Sequence, residues 1–206
     1  MTVPAPVAGL LLAAGAGRRF GMPKALVRHR GRLFVEHAAA VLHEGGCVPV
    51  VVVLGAAADS VCASASLPGS SLVDNPEWTT GMGSSLRAGL SALASSDVRA
   101  VVVLPVDTPG VTASAVRRLA DLAAPDALAR ATYFGRPGHP VLLGRDRWPD
   151  VVAAAVGDAG ARPYLSSHPP LEVPCEDVAS GDDVDRPSDL PELSDPGEKV
   201  TGNPDE

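Results

Sequence analysis

The chain has 206 residues, of which 46% are hydrophobic and 3% aromatic, and its formal net charge is −7. This length is typical of one compact domain, and the apolar content excludes a disordered or fibrous protein. Residues 172–206 contain 12 acidic and 2 basic side chains, whereas residues 1–171 contain 12 acidic and 15 basic ones. The body therefore lacks the basic run that binding to a nucleic-acid backbone needs.

The N-terminus has no basic residue ahead of its short apolar run, and no apolar stretch approaches the length of a membrane span. Cys47, Cys62 and Cys175 lie far apart, without the spacing of metal ligands. They are typical of thiols in a reducing compartment. We therefore predict a cytoplasmic protein with no nucleic-acid partner and no membrane partner.

Continuous apolar runs in the first half predict β-strands that are buried on both faces. These runs are VAGLLLA (7–13), VPVVVVLG (48–55), SLVD (71–74) and RAVVVLPVD (99–107). Segments with helical spacing alternate with them, at 33–45, 57–65 and 84–96. The alternation predicts a three-layer α/β fold in which helices cover both faces of a mostly parallel sheet.

The second half has a looser pattern. It predicts helices at 112–124, 145–156 and 158–167 and strands at 128–134, 139–144 and 171–175. Because no internal repeat or linker divides the chain, we predict one domain over residues 1–192. Residues 193–206 are acidic and rich in Pro and Gly, which predicts a disordered tail.

A glycine-rich segment, LLAAGAGRRFGMPKAL (11–26), follows the first predicted strand. Glycine lets backbone N–H groups approach a phosphate, and the N-terminus of a helix placed after the loop favours an anion. Gly15, Gly17 and Gly21 are spaced one residue too widely for the dinucleotide fingerprint, and Lys24 is not followed by the Ser or Thr of a Walker loop. The segment instead indicates a loop for a triphosphate whose pyrophosphate leaves.

Positive charge ends this loop. Arginine outnumbers lysine 15 to 2 in the chain, and Lys199 lies in the acidic tail. The other lysine, Lys24, therefore indicates a site that needs a compact point charge, with a surface residue as the alternative. Arg18 is expected to be a solvated charge. Phosphoryl chemistry depends mostly on positioning and electrostatic stabilisation, which these cations supply.

The same segment resembles the L-A-A-G-x-x-x-R-x-G-x-x-K signature of the MobA-like nucleotidyltransferases, and most closely the molybdenum cofactor cytidylyltransferases. Further segments resemble that family in the same order along the chain. They are DNPEWTTGMGSSLRAGL (74–90), PVDTPGVT (105–112), GRPGHPVLLGRD (135–146), GDAGARPYL (157–165) and VDRPSDL (184–190). The resemblance covers nearly the whole body and implies the Rossmann-like nucleotidyltransferase fold of the family.

The resemblance also implies catalytic residues. Arg19 and Lys24 would hold the β- and γ-phosphates and offset the charge of the leaving pyrophosphate. Asp107 follows a buried strand, at the edge where parallel sheets bind ligands, and a carboxylate there can hold the cofactor Mg²⁺. Asp183 and Asp185 would supply a second metal ligand, and the alternative for them is a solvated acidic surface.

The implied nucleotide site contains residues of two loops. They are Leu12, Ala13, Ala14, Gly15, Gly17, Asn75, Gly81, Ser84 and Ser85. Asn75 suits a pyrimidine edge or a ribose, with an Asn-Pro turn as the alternative, and Ser84 either lies near the base or caps the next helix. Related guanylyltransferases carry L-A-G-G, and a methyl group at Ala14 would crowd a purine, which favours CTP.

Gly138 and His139 are expected to contact the acceptor. The attacking phosphate is already ionised near neutral pH, so His139 is not needed as a strong base. Gly110 and Arg186 stand where the family usually has Leu and often has Thr, and these departures leave the second substrate open.

We therefore predict a Mg²⁺-dependent transfer of CMP from CTP to the terminal phosphate of molybdopterin, with release of pyrophosphate and a molybdenum hydroxylase as the client of the product. One alternative is the same reaction with a sugar or alditol phosphate, or with GTP. The other is a non-catalytic carrier of the pterin cofactor.

Overall fold

The structure is a computed structural model that describes residues 6–190. Within this range the strands are β1 (Val7–Leu12), β2 (Arg28–His29), β3 (Arg32–Leu33), β4 (Val50–Leu54), β5 (Ser70–Asp74), β6 (Ala100–Pro105), β7 (Leu128–Tyr133), β8 (Arg136–Gly144) and β9 (Leu171–Pro174). The α-helices are α1 (Phe34–Glu44), α2 (Ala58–Ser64), α3 (Met82–Ala92), α4 (Ala113–Ala120), α5 (Trp148–Ala154) and α6 (Arg162–Ser167). The tail predicted at 193–206 lies outside the described residues.

A seven-stranded sheet forms the centre of the molecule, in the order β5-β4-β1-β6-β8-β7-β9. Strand β1 pairs in parallel with β4 and β6, and β4 pairs in parallel with β5. Strand β8 runs against its neighbours β6 and β7, and β9 is parallel to β7. The predicted α/β fold with a mostly parallel sheet is therefore confirmed.

Side chains of the central strands alternate between two hydrophobic cores, one on each face of the sheet. On β1, Leu11 packs into the core beneath α1 and α4, and Leu10 packs into the core beneath α3 and α5. Successive side chains of a strand point to opposite faces, so a run of Val and Leu can fill both cores. This arrangement confirms that helices cover both faces.

The prediction that all four early strands are buried on both faces is wrong for β5. This strand lies at the edge of the sheet, pairs with β4, and exposes several of its side chains, with Leu72 45% exposed. The short hairpin β2–β3 was not predicted, because its residues between Arg28 and Leu33 are mostly basic. Its turn has positive φ at Arg30 (51°) and Gly31 (79°), as the tight turns of two-residue hairpins require.

The three cysteines are free, with Cys47 and Cys175 buried and Cys62 exposed. Between residues 6 and 190, every helix is too short or too polar to span a membrane.

Candidate active site

The glycine-rich loop after β1 borders a cavity of about 360 Å³ at the carboxyl ends of β1 and β6. The predicted site residues that line this cavity are Leu12, Ala14, Gly15, Gly17, Arg19, Lys24, Gly81, Ser85, Asp107 and Asp185. The structure therefore brings together residues from both ends of the chain. It also agrees with the rule that open α/β sheets bind ligands outside the carboxyl ends of their strands.

Gly17 determines the shape of the loop. Its φ is 61°, and its carbonyl oxygen accepts hydrogen bonds from the backbone N–H groups of Phe20 (3.0 Å) and Gly21 (2.8 Å). A Cβ atom at this position would collide with the carbonyl oxygen of Met22. Any larger residue would therefore strain the backbone and open the turn.

Within the described residues, no α-helix follows directly after this loop, and the helix predicted at 33–45 is α1. Lys24 instead begins a 3-10 turn, Lys24–Leu26, and α1 starts only at Phe34, after the hairpin. An anion at this loop would therefore contact backbone N–H groups and cationic side chains, without the dipole of a directly following helix.

Lys24 lies between two carboxylates. Its Nζ donates to Oδ2 of Asp107 at 2.9 Å and to Oδ1 of Asp185 at 2.6 Å. Its side chain is only 12% exposed. Burial disfavours its charge, but the hydrogen bonds to Asp185 and Asp107 outweigh burial and raise the pKa of Lys24. The lysine is therefore a fixed positive charge at the edge of the cavity.

Arg19 also reaches this group, with its Nη1 at 3.2 Å from Oδ2 of Asp185. Its side chain is 76% exposed, so this ion pair contributes little to stability and Arg19 is free to turn toward a ligand.

The segment after β9 delivers Asp185 to the site. The backbone N–H of Val184 donates to the carbonyl of Asp107 at 2.8 Å, and that of Ser180 donates to Gly110 at 3.0 Å. The N–H groups of Asp185 and Arg186 both donate to Oδ2 of Asp189. These bonds fasten the segment to the loop after β6.

The acidic residues of this segment differ electrostatically. The hydrogen bond from Lys24 lowers the pKa of Asp185. Partial desolvation of the Asp183 carboxylate raises its pKa, and the nearby charges of Asp107 and Asp185 raise it further. Asp183 therefore lies close to both acids, although it does not line the cavity. Within residues 6–190, no three His, Cys, Asp or Glu side chains are arranged to hold a metal ion by themselves.

Asn75 is 3% exposed and all its polar atoms have protein partners. Its Nδ2 donates to Oγ of Ser84 (2.8 Å) and Ser85 (3.0 Å), and its Oδ1 accepts from the N–H of Glu77 (3.0 Å). The bond to Glu77 is the Asn-Pro turn that the sequence offered as the alternative. Asn75 thus joins the loop after β5 to the first turn of α3.

Ser84 does not cap α3, so that alternative is wrong. The N-cap position is Gly81, and the Ser84 hydroxyl donates to the carbonyls of Gly81 (2.8 Å) and of Glu77 (3.0 Å) in the loop before α3. Both hydroxyls, of Ser84 and Ser85, therefore help to fix the second loop of the cavity.

Gly138 and His139 lie on β8 and do not line this cavity. Within the described residues, Nδ1 of His139 is buried and has no hydrogen-bond partner. Burial lowers the pKa of His139 to about 4, against the opposing charge of Asp107. The imidazole is therefore neutral near neutral pH.

Sequence reasoning missed several residues of the cavity, namely Ala16, Arg18, Trp78, Thr79, Met82, Pro105, Val106 and Asp158. Trp78 and Met82 are positions of the segment that resembles the family, so a signal for them existed. Asp158 lies in the GDAGAR segment, which was noted only as a whole. Arg18 was expected to be solvated, and it is exposed where it borders the cavity.

Residues 9–172 match the family described as MobA-like NTP transferase domain. The chain belongs to this family. The resemblance inferred from the signature and the predicted class of enzyme, a nucleotidyltransferase, are thereby supported at the level of the family. The match does not extend to the choice of nucleotide.

Relatives of this MobA-like chain have different names. It is 42% identical over 189 residues to nicotine blue oxidoreductase of Paenarthrobacter nicotinovorans, covering 87% of this chain and 92% of that protein. It is 35% identical over 140 residues to molybdenum cofactor guanylyltransferase of Rhodobacter capsulatus, covering 68% of each. Rv0371c of Mycobacterium tuberculosis H37Rv, solved in complex with manganese, has a TM-score of 0.71 and 26% identity over 82% of this chain and 88% of that one.

Proposed function

We propose that this chain transfers a nucleoside monophosphate from a metal-bound nucleoside triphosphate to the phosphate of molybdopterin and releases pyrophosphate. The observation that carries this proposal is the position of Lys24, which contacts Asp107 and Asp185 beside a glycine-rich loop. A lysine and carboxylates at the rim of one cavity provide the cation and the metal ligands that triphosphate chemistry needs.

The triphosphate would lie along the glycine-rich loop. A side chain at Gly15 would meet no protein atom within 4 Å, so the backbone there faces open space that a phosphate can approach. Arg18 and Arg19 border the same cavity, and with Lys24 they would offset the charge that builds on the departing pyrophosphate.

The residues present fit a divalent cation. Asp107 and Asp185 offer only oxygen atoms, and magnesium typically binds to one or two carboxylates together with substrate phosphates and water. Asp183 is the further candidate ligand. When bound, the ion would neutralise phosphate charge and polarise the phosphoryl oxygens. The carboxylates would then have a second cation to balance, which frees the ammonium group of Lys24 for the phosphates.

The acceptor would approach from the side of β8. Gly138 and His139 are our candidates for contacts with it. A neutral His139 with a pKa of about 4 is a poor proton acceptor near neutral pH, which suits an acceptor phosphate that is already ionised. Because Nδ1 of His139 is buried, the acceptor would contact it only if its binding opens this part of β8.

For the nucleotide we propose CTP, with GTP as the alternative. Ala14 lines the cavity, and its methyl group would restrict a purine more than a pyrimidine. The guanylyltransferase relative favours GTP. Leu12, Ala13, Asn75, Gly81, Ser84 and Ser85 remain our candidates for shaping the nucleotide site, directly or through the second loop.

Pyrophosphate release by the purified chain tests the proposal. The four nucleoside triphosphates are each incubated with Mg²⁺ or Mn²⁺, with and without molybdopterin, and a sugar phosphate serves as the alternative acceptor. We expect release that requires a divalent cation and molybdopterin and that is fastest with CTP. The variant Ala14→Gly should increase the rate with GTP relative to CTP. Release with the sugar phosphate alone would overturn the proposed acceptor, and release with no acceptor would overturn the transfer reaction.

The relative named nicotine blue oxidoreductase supports a second candidate function, an oxidoreductase reaction on nicotine blue, because it is 42% identical over most of its length. The spacing of Gly15, Gly17 and Gly21 departs from the dinucleotide fingerprint and argues against it. Loss of the colour of nicotine blue in the presence of NADH or NADPH would establish this function. If the colour persists and pyrophosphate is released, the chain is a transferase and not this oxidoreductase.

A third candidate is a non-catalytic carrier of the pterin cofactor. Such a carrier would bind molybdopterin equally well with or without nucleotide and metal, and it would deliver the cofactor to a molybdenum hydroxylase.

A further inference from the structure

A second cavity, of about 320 Å³, lies between the hairpin β2–β3, the start of α1 and the loop at Pro109–Gly110. Four basic side chains line it, those of His29, Arg30, Arg32 and His37. No acidic residue lines it among the described residues. Its volume is at the lower end of the range for small-molecule sites.

Among the described residues, Glu36 only partly offsets the charge of Arg32: its pKa is lowered mainly by the hydrogen bond from Ser66 and further by the charges of Arg28 and Arg32. Across residues 6–190, Arg30 and Arg32 form no ion pair, and the acid on the neighbouring helix turn, Glu36, accepts from the backbone N–H groups of Leu33 (2.9 Å) and Ser66 (2.8 Å). The two arginines therefore keep their donors available for an external anion.

Contacts hold the two histidines of the cavity in place, whereas Arg30 and Arg32 are exposed. Nε2 of His37 lies 3.1 Å from the carbonyl oxygen of Pro109, and the ring of His29 packs edge-on against Phe34 with centroids 6.3 Å apart. Burial lowers the pKa of His29, and the charges of Arg30 and His37 lower it further. The lowered pKa favours the neutral form of His29, so the two arginines carry the positive charge that a bound anion would offset.

We propose that this basic cavity binds the phosphate group of a small molecule, at a site separate from the nucleotide cavity. Arginine is suited to this task because its planar guanidinium can donate two parallel hydrogen bonds to phosphate oxygens. The remaining volume accommodates more than a single phosphate, so the ligand class is a phosphorylated small molecule. The loop that contains Pro109 and Gly110 continues from Asp107, so an occupant would contact the chain two residues from the candidate active site. The proposal goes beyond the proposed function and does not depend on it.

The test uses the full chain and two probes, inorganic phosphate and ribose 5-phosphate. Binding is measured by calorimetry and by the NMR shifts of the Gly31 and Gly110 amides, which report on this cavity. The double variant Arg30→Asn with Arg32→Gln removes two charges, and asparagine tolerates the positive φ of the turn. A control with the same loss of charge is Arg117→Gln with Arg136→Gln, two exposed arginines outside both cavities. The single variant Arg32→Gln serves if the double variant does not fold.

We expect the double variant to bind either probe at least about tenfold more weakly, the loss typical of a charge-assisted hydrogen bond, with the control unchanged. Tighter binding of ribose 5-phosphate than of phosphate would identify the source as a phosphorylated metabolite, and equal binding would identify free phosphate. In the variant Lys24→Met, phosphate should shift the Gly31 and Gly110 amides as in the wild type, which separates this site from the nucleotide cavity. Amides that do not respond to phosphate, an unaffected double variant, or loss of binding only in Lys24→Met would each overturn the proposal.

Discussion

The two halves of the central sheet contribute to the candidate site in different ways. In the parallel half, Gly17, Lys24 and Asp107 follow the ends of β1 and β6, whose side chains are buried in both cores. The half formed by β8, β7 and β9 supplies Asp185 from a segment beyond its last strand, fastened by a few hydrogen bonds. The first group is thus positioned by core packing and the second by local contacts. Truncation in the buried strands of the first half should mainly cost stability, and displacement of the segment with Asp185 should cost activity as well.

The largest expected effect on activity comes from changing Lys24, which contacts Asp107 from one half of the sheet and Asp185 from the other. The variant Lys24→Met keeps the length of the side chain and removes the charge that faces Asp107 and Asp185. We expect kcat/KM for pyrophosphate release to fall by about 10²–10³, the usual loss when one group that stabilises developing charge is removed.

The matched control is Lys199→Met, which changes the other lysine of the chain. Its rate should equal that of the wild type. An unchanged rate in Lys24→Met would remove this lysine from the site.

The central strand of the parallel half should be the most sensitive to truncation. Leu11 on β1 is fully buried, so Leu11→Ala leaves a cavity and should lower the free energy of unfolding by about 2–5 kcal/mol. Denaturant unfolding measures this change. On the opposite edge, Leu171 of β9 is 58% exposed, and Leu171→Ala should change stability by less than about 0.5 kcal/mol. Equal losses in the two variants would contradict the comparison.

The segment that delivers Asp185 should be sensitive to one added methyl group. A Cβ atom at Gly181 would collide with the ring of Tyr133, so Gly181→Ala must displace the ring or the segment. We expect a loss of about 1–3 kcal/mol in unfolding free energy and a fall in kcat/KM that exceeds the fall caused by Leu11→Ala.

A double variant tests the cause of this loss. If the collision is responsible, Tyr133→Leu should reduce the cost of Gly181→Ala, which a double-mutant cycle measures. Additive effects would show that the ring is not involved.

The smallest expected effect concerns the start of α1. Glu36 accepts from the N–H groups of Ser66 and Leu33, and the bond from Ser66 is the main cause of its lowered pKa. A lowered pKa in the folded state gives stability that is present above the unfolded pKa and is lost as pH falls through the folded pKa. At neutral pH, Glu36→Ala should cost about 1 kcal/mol. The difference from the wild type should shrink as the pH falls below the ordinary range of glutamate, and a difference that stays constant would contradict this assignment.

The parallel half could be predicted from the sequence because its signal is local. Strands β1 and β6 are continuous runs of Val, Leu and Ala, and runs of this type identify strands buried on both faces. Strand β5 has a similar run, SLVD, but its position at the edge of the sheet depends on pairing, which the run does not encode. The antiparallel direction of β8 also depends on strand pairing, so its residues alone do not predict it. The hairpin β2–β3 was missed for another reason, because it has too many basic residues to resemble a strand.

The site was predicted from two kinds of signal. The glycine spacing and the rarity of lysine indicated Lys24 directly from the residues. Asp185 lies 161 positions further along the chain, and only the resemblance to the family connected the two. The hydrogen bonds that Asn75 and Ser84 form with other residues of the protein could not be predicted. The same residues at the same positions are compatible with an Asn-Pro turn and with a contact to a nucleotide. Asp158 and Arg18 border the cavity through the three-dimensional arrangement of loops, for which spacing gives no signal.

The location of Asp185 matters for any exchange of parts between relatives. The family match ends at residue 172, so a graft with its junction there would transplant the glycine-rich loop and leave this carboxylate behind. Lys24 would then face Asp107 alone, with one anionic neighbour fewer than it has here. In a hybrid protein, the glycine-rich loop and the segment up to Leu190 should therefore come from the same parent.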